Sequence, residues 1–284
     1  DQYRYWSTHL PPQYQPQLAS FIQQPGPLAS RLREKWLIYL GEKQNWPLVA
    51  QYWRPSNSTT LNCHAAYAFW HQKNRAKAIQ IATPLWLQPI SQPRACESIF
   101  HELSRDNNWR SVYWAKRIKL ALNNNQILLA RQLLRHGNHL DQKAADDFWR
   151  MHSLPEAYKH LSSGPWRGEE VLYALKRMVM LNRSYVHVEQ AYHDALNKHY
   201  LNDDQTQRFS AFMALYMAMR NEAKNQYWFA KLKPAYYTPS VLEWQMRYGI
   251  LHHHWPQIRA AIVRLPKPYT PEQNHIWDKK KLPI

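Results

Sequence analysis

Apolar residues along this chain recur at spacings of three and four, the period of a helix with one buried face. Leu32, Trp36, Tyr39 and Leu40 lead into Gly41, and Leu48, Val49, Tyr52 and Trp53 follow before Pro55. The break from Gly41 to Trp46 is short enough to turn the second helix back against the first. The same rhythm predicts helices over 61–71, 76–86, 95–103, 112–122 and 127–134. Beyond Gly137 it continues over 144–151, 155–161, 169–181, 186–199, 204–219, 223–232, 239–251 and 256–265. A run of about fifteen helices with almost no alternating strand pattern predicts an all-α fold, a superhelix or solenoid of stacked helical hairpins.

A weak internal repeat supports stacking. Asn45-Trp46-Pro47-Leu48-Val49, Asn108-Trp109-Arg110-Ser111-Val112 and His254-Trp255-Pro256-Gln257-Ile258 share a polar residue, Trp, Pro or Arg, any residue, and a β-branched apolar one. Proline suits the first helical position, where its missing N–H had no partner, and the preceding Trp can staple back onto the helix before. This is the local grammar of tetratricopeptide-like hairpins without their strict 34-residue signature. The division expected is an N-terminal extension over 1–30, a superhelical scaffold over 31–268 and a loose C-terminal tail over 269–284, whose Lys279-Lys280-Lys281 run has no apolar rhythm.

Composition narrows the chemistry. Among 284 residues there are only six Gly, far below the roughly 7% of an average chain, so Rossmann and phosphate-cradling loops have few places to sit. The 19 Pro fall mostly between the periodic segments, as stops. No run approaches the roughly 20 apolar residues of a membrane span, and the start at Asp1 rather than Met is read as the removal of a leader or tag. The net charge of +17 comes from Lys and Arg scattered along the chain, a field that attracts polyanions in general: nucleic acid, acidic glycan or an acidic domain. Nucleic-acid binding would rest on that charge alone and is the least favoured of the three.

Candidate chemical groups are few. Cys63 and Cys96 lie too far apart for a C-x-x-C redox pair and are too few for a zinc cluster, which leaves one disulfide or two buried thiols. His252-His253-His254 is read as a solvated helix end, because adjacent helical side chains diverge by about 100° and do not converge on one ion. His9, His64, His71 and His101 are scattered, with no matching partner one helical turn away. Cys63 beside His64 gives no nucleophile pair for the same reason, and neither a G-x-S-x-G elbow nor a P-loop occurs. The expectation is no catalytic residue, no cofactor and no metal. The 14 Trp and 18 Tyr, at positions such as Trp36, Trp53, Trp70, Trp86, Trp114 and Trp149, are read mostly as filling between helix layers, with a few exposed rings left to stack on sugars.

One stretch carries a family resemblance. Leu32-Arg33-Glu34-Lys35-Trp36-Leu37-Ile38-Tyr39-Leu40, then Asn45-Trp46 and Tyr52-Trp53-Arg54-Pro55, resembles the opening helices of the superhelical domain of soluble lytic murein transglycosylases. Leu61-Asn62-Cys63, Ala65-Ala66-Tyr67-Ala68, Leu85-Trp86-Leu87 and Ser91-Gln92-Pro93-Arg94-Ala95-Cys96 keep the order and spacing of that family's cysteine segment. The likeness runs from about Arg31 to Pro266, is strong to residue 137, and ends in Ile262-Val263-Arg264-Leu265-Pro266. It implies a disulfide between Cys63 and Cys96, which suits an oxidising periplasm and closes a loop of about 33 residues, worth roughly 3 to 4 kcal/mol in the loop-entropy model.

The family cleaves the MurNAc to GlcNAc bond of peptidoglycan non-hydrolytically, forming a 1,6-anhydro sugar, in a separate C-terminal lysozyme-like domain. Glu97-Ser98-Ile99-Phe100 matches that domain's Glu-Ser-x-Phe by letter. It follows Cys96 where a scaffold helix belongs, however, and no Gly-x-x-Gln segment comes after it, so Glu97 is not read as catalytic. The resemblance therefore implies a periplasmic scaffold that engages murein in cell-wall turnover and seats a catalytic domain in the full-length enzyme. The alternative is a stand-alone α-solenoid interaction module that has lost the enzyme domain.

Overall fold

A computed structural model describes residues 2–265; the expected tail over 269–284 lies outside them. Among the described residues the protein is helical throughout, with no strand, and it packs as two units, Asp1–Trp149 and Arg150–Ile284.

The first unit contains α1 (Gln2–Thr8), α2 (Pro16–Gln23), α3 (Pro27–Glu42), α4 (Trp46–Tyr52), α5 (Thr59–His71), α6 (Arg75–Trp86), α7 (Glu97–Arg105), α8 (Asn107–Asn123), α9 (Ile127–Arg135) and most of α10 (His139–Ser153). Most helices of this unit pack on the helix next to them or the next but one in sequence, as α1 does on α3 and α5 on α6. The core around α3 gathers Leu18, Ile22, Leu32, Trp36, Leu37, Leu40, Val49 and Leu61. Leu18 and Ile22 come from the stretch before residue 31, which forms α1, α2 and the start of α3. Lys35 donates to the Ser7 carbonyl at 2.6 Å and the Trp36 indole to that of Pro11 at 2.8 Å. The apolar rhythm of 1–30 is interrupted by Pro11-Pro12 and Pro25-Gly26-Pro27, which hides two short helices behind their own stops.

The second unit contains the end of α10, then α11 (Arg167–Met180), α12 (Tyr185–Asn197), α13 (Asp203–Met219), α14 (Asn225–Ala230), α15 (Pro239–Leu251) and α16 (Trp255–Val263). Tyr192, Phe209 and Trp228 interlock at its centre, with the first two rings stacked at 4.9 Å and Phe209 edge-on to Trp228 at 5.7 Å. The segment predicted as a helix over 155–161 is a 3₁₀ turn, Pro155–His160, because Pro155 opens it and it ends before an α-helical ladder is established.

One turn recurs seven times. Gln44, Lys73, Asn125, Asn182, His199, Asn221 and His253 all sit at φ between 53° and 61°, just past a helix end. The amide of the following residue then bonds back across the turn, as in Asn45 to the Leu40 carbonyl at 2.9 Å, Asn74 to Phe69 at 2.9 Å and His254 to Gly249 at 2.7 Å. This is a Schellman-type stop in which Gln, Lys, Asn or His holds the left-handed position usually given to glycine, and it reverses the chain into the next helix. Two of the three Trp repeats follow such turns. The third does not: the cap of α8 is Asp106, whose carboxylate accepts from the amides of Asn108 and Trp109.

Candidate functional site

The cysteine segment fixes the middle of the first unit. Cys63 on α5 and Cys96, in the 3₁₀ turn before α7, are both buried and joined as a disulfide, with Cα atoms 4.8 Å apart and a sequence separation of 33. The sulfur of Cys63 is thereby taken, and the neighbouring His64 turns to packing. A Cβ at Gly41 would lie 2.4 Å from the His64 ring, so α3 approaches α5 this closely only because residue 41 is glycine. Burial pulls the His64 pKa down.

Glu97 opens α7 with its side chain 75% exposed, 4.0 Å from Arg94. A carboxyl that must stay protonated near neutral pH needs a dry pocket. Glu97 stands in water at the start of a helix, with no pocket around it.

Below the disulfide is an aromatic cluster centred on Trp86, whose ring lies 5.0 Å from Phe100, 5.2 Å from Trp109 and 5.1 Å from Trp114. Arg117, 3% exposed, stacks on it at 4.3 Å and on Phe100 at 5.2 Å. Burial lowers its pKa to about 10, so it keeps its charge at neutral pH. Cation–π attraction to desolvated rings, worth about 2 kcal/mol, offsets part of that burial. The cluster binds α6, α7 and α8 together and offers no reactive group.

The second unit buries ions instead. Glu169, with 4% of its side chain exposed, receives Nη1 of Arg208 at 3.1 Å, the second Arg208 nitrogen Nη2, and the Gln205 amide at 3.2 Å. Arg208 also reaches Asp204 at 2.8 Å. Lys176, largely enclosed, has its pKa lowered to about 8, chiefly by desolvation and then by Arg208, against the pull of Glu169 and Asp204. Nearby, His152 hydrogen-bonds Tyr173 at 2.6 Å and its carbonyl accepts from Arg177 at 2.7 Å. Both Glu169 oxygens are engaged by Arg208 or Gln205, and Asp204 is shared between Arg208 and the Tyr236 hydroxyl at 2.9 Å, so the network ties α11 to α13.

The three consecutive histidines diverge. His252 bonds Asn221 and packs on Tyr248 at 4.3 Å, His253 takes the left-handed turn position, and His254 starts α16. Among the described residues no cluster of three His, Cys, Asp or Glu side chains is placed to hold a metal.

Trp36 and Trp86 are core residues, whereas Trp53, Trp70 and Trp114 are only partly buried. The core placement expected of Trp149 is corrected: it is 41% exposed, because its neighbour Phe148 takes the inward position on α10. Its ring carries the Arg131 guanidinium at 4.7 Å. The same pairing recurs at the surface, with Arg75 on Trp70 at 4.9 Å, Lys231 on Tyr227 at 4.1 Å and Arg264 on Tyr237 at 4.5 Å. Such half-exposed ring and cation pairs, which no single helical period reveals, match the two components of an acidic glycan, apolar sugar faces and anionic groups. Open hollows lie in both units. One, of about 200 Å³, is edged by Asn182, Tyr185, Tyr216 and Arg220 in the second unit. Another, of about 220 Å³, is edged by Arg33, Tyr52, Trp53 and Arg54 in the first.

No family model matches the chain. Over 97 residues, 34% of this chain, it is 29% identical to the soluble lytic murein transglycosylases of Escherichia coli (strain K12) and Salmonella typhimurium (strain LT2). That stretch is 15% of those proteins' length. The fold matches an inactive mutant of the lytic transglycosylase Slt from Pseudomonas aeruginosa with a TM-score of 0.73 at 19% identity, covering 94% of this chain and 44% of that one. It matches the 70-kDa soluble lytic transglycosylase of Escherichia coli with a TM-score of 0.65 at 18% identity, again over 94% of this chain and 44% of the other. The chain thus spans less than half the length of these solved relatives. In sequence over one stretch, and in fold over nearly its whole length, it resembles the soluble lytic murein transglycosylases.

Proposed function

We propose that this chain is a non-catalytic scaffold that engages murein strands and, in a full-length enzyme, seats the domain that cleaves them with formation of 1,6-anhydromuropeptides. The observation that carries the reading is the match to lytic transglycosylase folds over 94% of the chain. The surface supports it: a net charge of +17 is displayed in part on half-exposed aromatic rings, suited to an anionic glycan. The scaffold is assigned to residues 31–268, with 1–30 as an extension docked on its first helices. A periplasmic setting agrees with the buried disulfide, since such bonds persist in oxidising compartments.

Sedimentation with purified murein sacculi tests the reading. Retention that weakens steeply between 50 and 500 mM salt is expected, on the order of the screening that shortens the Debye length from about 14 to 4 Å. Indifference to sacculi at low salt would defeat it. A second reading, a stand-alone interaction module, is favoured by one feature: Ile250, Leu251, Trp255, Ile262 and Val263 on the last hairpin are all at least half exposed. A protein partner captured through α15 and α16, together with indifference to sacculi, would establish that alternative.

A further inference from the structure

We infer that the hollow between α2, α3 and the end of α4 is a subsite for a carboxylate carried on a sugar strand, gripped by Arg54 together with Arg33. The inference rests on the murein reading and narrows it to one place, and to strands whose muramic acid carboxyl is free because the stem peptide amide-linked to it has been removed.

The hollow has about 220 Å³ of space and is lined by Gln23, Arg33, Gln51, Tyr52, Trp53 and Arg54. That is below the size of a whole-ligand pocket, roughly 300 to 1,000 Å³, and suits one substituent of a longer chain. Two guanidiniums share it. The charge of Arg54 is, after burial, what most disfavours the charged form of Arg33, which places like charges side by side in a partly dry setting.

Neither cation is neutralised by an ion pair. Glu34 is the one carboxylate that acts favourably on Arg33, and its Oε1 is occupied by the Ser56 hydroxyl. Arg33 is held in place, donating to the Ile22 carbonyl at 3.0 Å and the Ser30 hydroxyl at 3.3 Å. That explains its position as a cap on the C-terminal end of α2. No comparable bond explains Arg54, which is exposed and donates to no described residue. The arrangement has one fixed and one free planar fork, a geometry matched to an oxyanion.

The walls favour a sugar-borne acid over a bare ion. Trp53 is anchored by its indole N–H to Asn62 at 3.2 Å, and Tyr52 is backed by Trp36 at 5.6 Å, so both rings are fixed faces for sugar C–H groups. The amides of Gln23 and Gln51 supply donors and acceptors for hydroxyl or acetamido groups.

The test follows the Arg Nε–Hε signals of the full chain by NMR while adding N-acetylmuramic acid, N-acetylglucosamine (the same sugar without the lactyl carboxylate) or inorganic phosphate. Saturable shifts of Arg33 and Arg54 are expected with N-acetylmuramic acid, at least tenfold tighter than with either comparator. Arg54→Gln should weaken binding at least tenfold and Arg259→Gln, an equal loss of charge elsewhere, less than twofold. Arg33→Lys, which keeps the charge and loses the fork, should fall between. Equal binding of both sugars, equal binding of phosphate, or an Arg54→Gln protein that binds like the parent would overturn the subsite. Sacculi stripped of their stem peptides, which frees the lactyl carboxylate, separate the two levels. Parent and Arg54→Gln retained alike would sink the subsite and leave the scaffold standing. Loss of retention by the parent, with the N-acetylmuramic acid shifts intact, would sink the scaffold and leave the subsite.

Discussion

The unit Asp1–Trp149 and the unit Arg150–Ile284 use the same hairpin and the same left-handed turn, but they bury different chemistry between their helices. The first relies on a disulfide and on rings, with the deeply buried Arg117 stacked on Trp86. The second has no cysteine and places a carboxylate, an arginine and a lysine between α11 and α13. A covalent link constrains the unfolded chain and is insensitive to pH. A buried ion pair repays its desolvation only while both partners and their hydrogen bonds remain. The lesson is that one repeating fold tolerates either solution, and each makes its unit vulnerable to a different change.

The largest effect is expected from breaking the ion network on one side. Arg208→Met leaves Glu169 buried and uncompensated and should cost about 3 to 5 kcal/mol, seen as early loss of the second unit in denaturant. The double change Glu169→Leu with Arg208→Met should recover most of that loss. Equal destabilisation by single and double variants would mean that the pair contributes by packing rather than charge.

Opening the disulfide comes next. Cys63→Ser with Cys96→Ser should cost about 3 to 4 kcal/mol and lower protection of amides in α5 to α8 while sparing α11 to α13. Uniform loss across both units, measured by hydrogen exchange, would erase the contrast.

Lys176 supplies a pH signature that only the second unit should show. Its folded pKa, about 8, lies below the ordinary value of 10.5, so the unfolded chain holds the proton more tightly over that interval. Its contribution to stability is therefore absent below about pH 8 and grows as pH rises towards 10.5. Tyr173, raised to about 12 mainly by burial, works in the opposite direction above pH 10, so the clean window is pH 8 to 10. Lys176→Met should flatten thermal stability across that window; an unchanged slope would show that another group sets it.

The smallest effect concerns the shared turn. Lys73→Gly removes the cost of a side chain at φ 61° and should stabilise the first unit by up to about 1 kcal/mol. A loss of stability there would mean that the lysine side chain supports the turn.

Much of this was legible in residues 31–265 because period and stops agree: helices such as Thr59–His71, Arg75–Trp86, Ile127–Arg135 and Asp203–Met219 begin and end within two residues of the apolar rhythm. The turns were less legible. The Trp-containing repeat marks two of them, whereas the shared feature is a backbone conformation carried by Gln, Lys, Asn and His, which no single letter signals. The buried network was missed because Glu169, Lys176, Asp204 and Arg208 look like solvated helix positions until α11 and α13 are placed face to face. The exposed place of Trp149 was missed for a related reason: Phe148 and Trp149 are both apolar, and only packing decides which points inward. The hollow at Arg33 and Arg54 depends on the ends of α2 and α4 meeting the side of α3, which lies beyond sequence spacing.

The most direct measurement incubates the purified chain with murein sacculi at low salt and follows two quantities together, protein retained on the pellet and sugar fragments released to the supernatant, by mass spectrometry. A binding scaffold without a reaction centre predicts retained protein and a supernatant free of 1,6-anhydro-ended muropeptides. Anhydro-ended products accumulating with time, or protein left entirely in the supernatant, would contradict it.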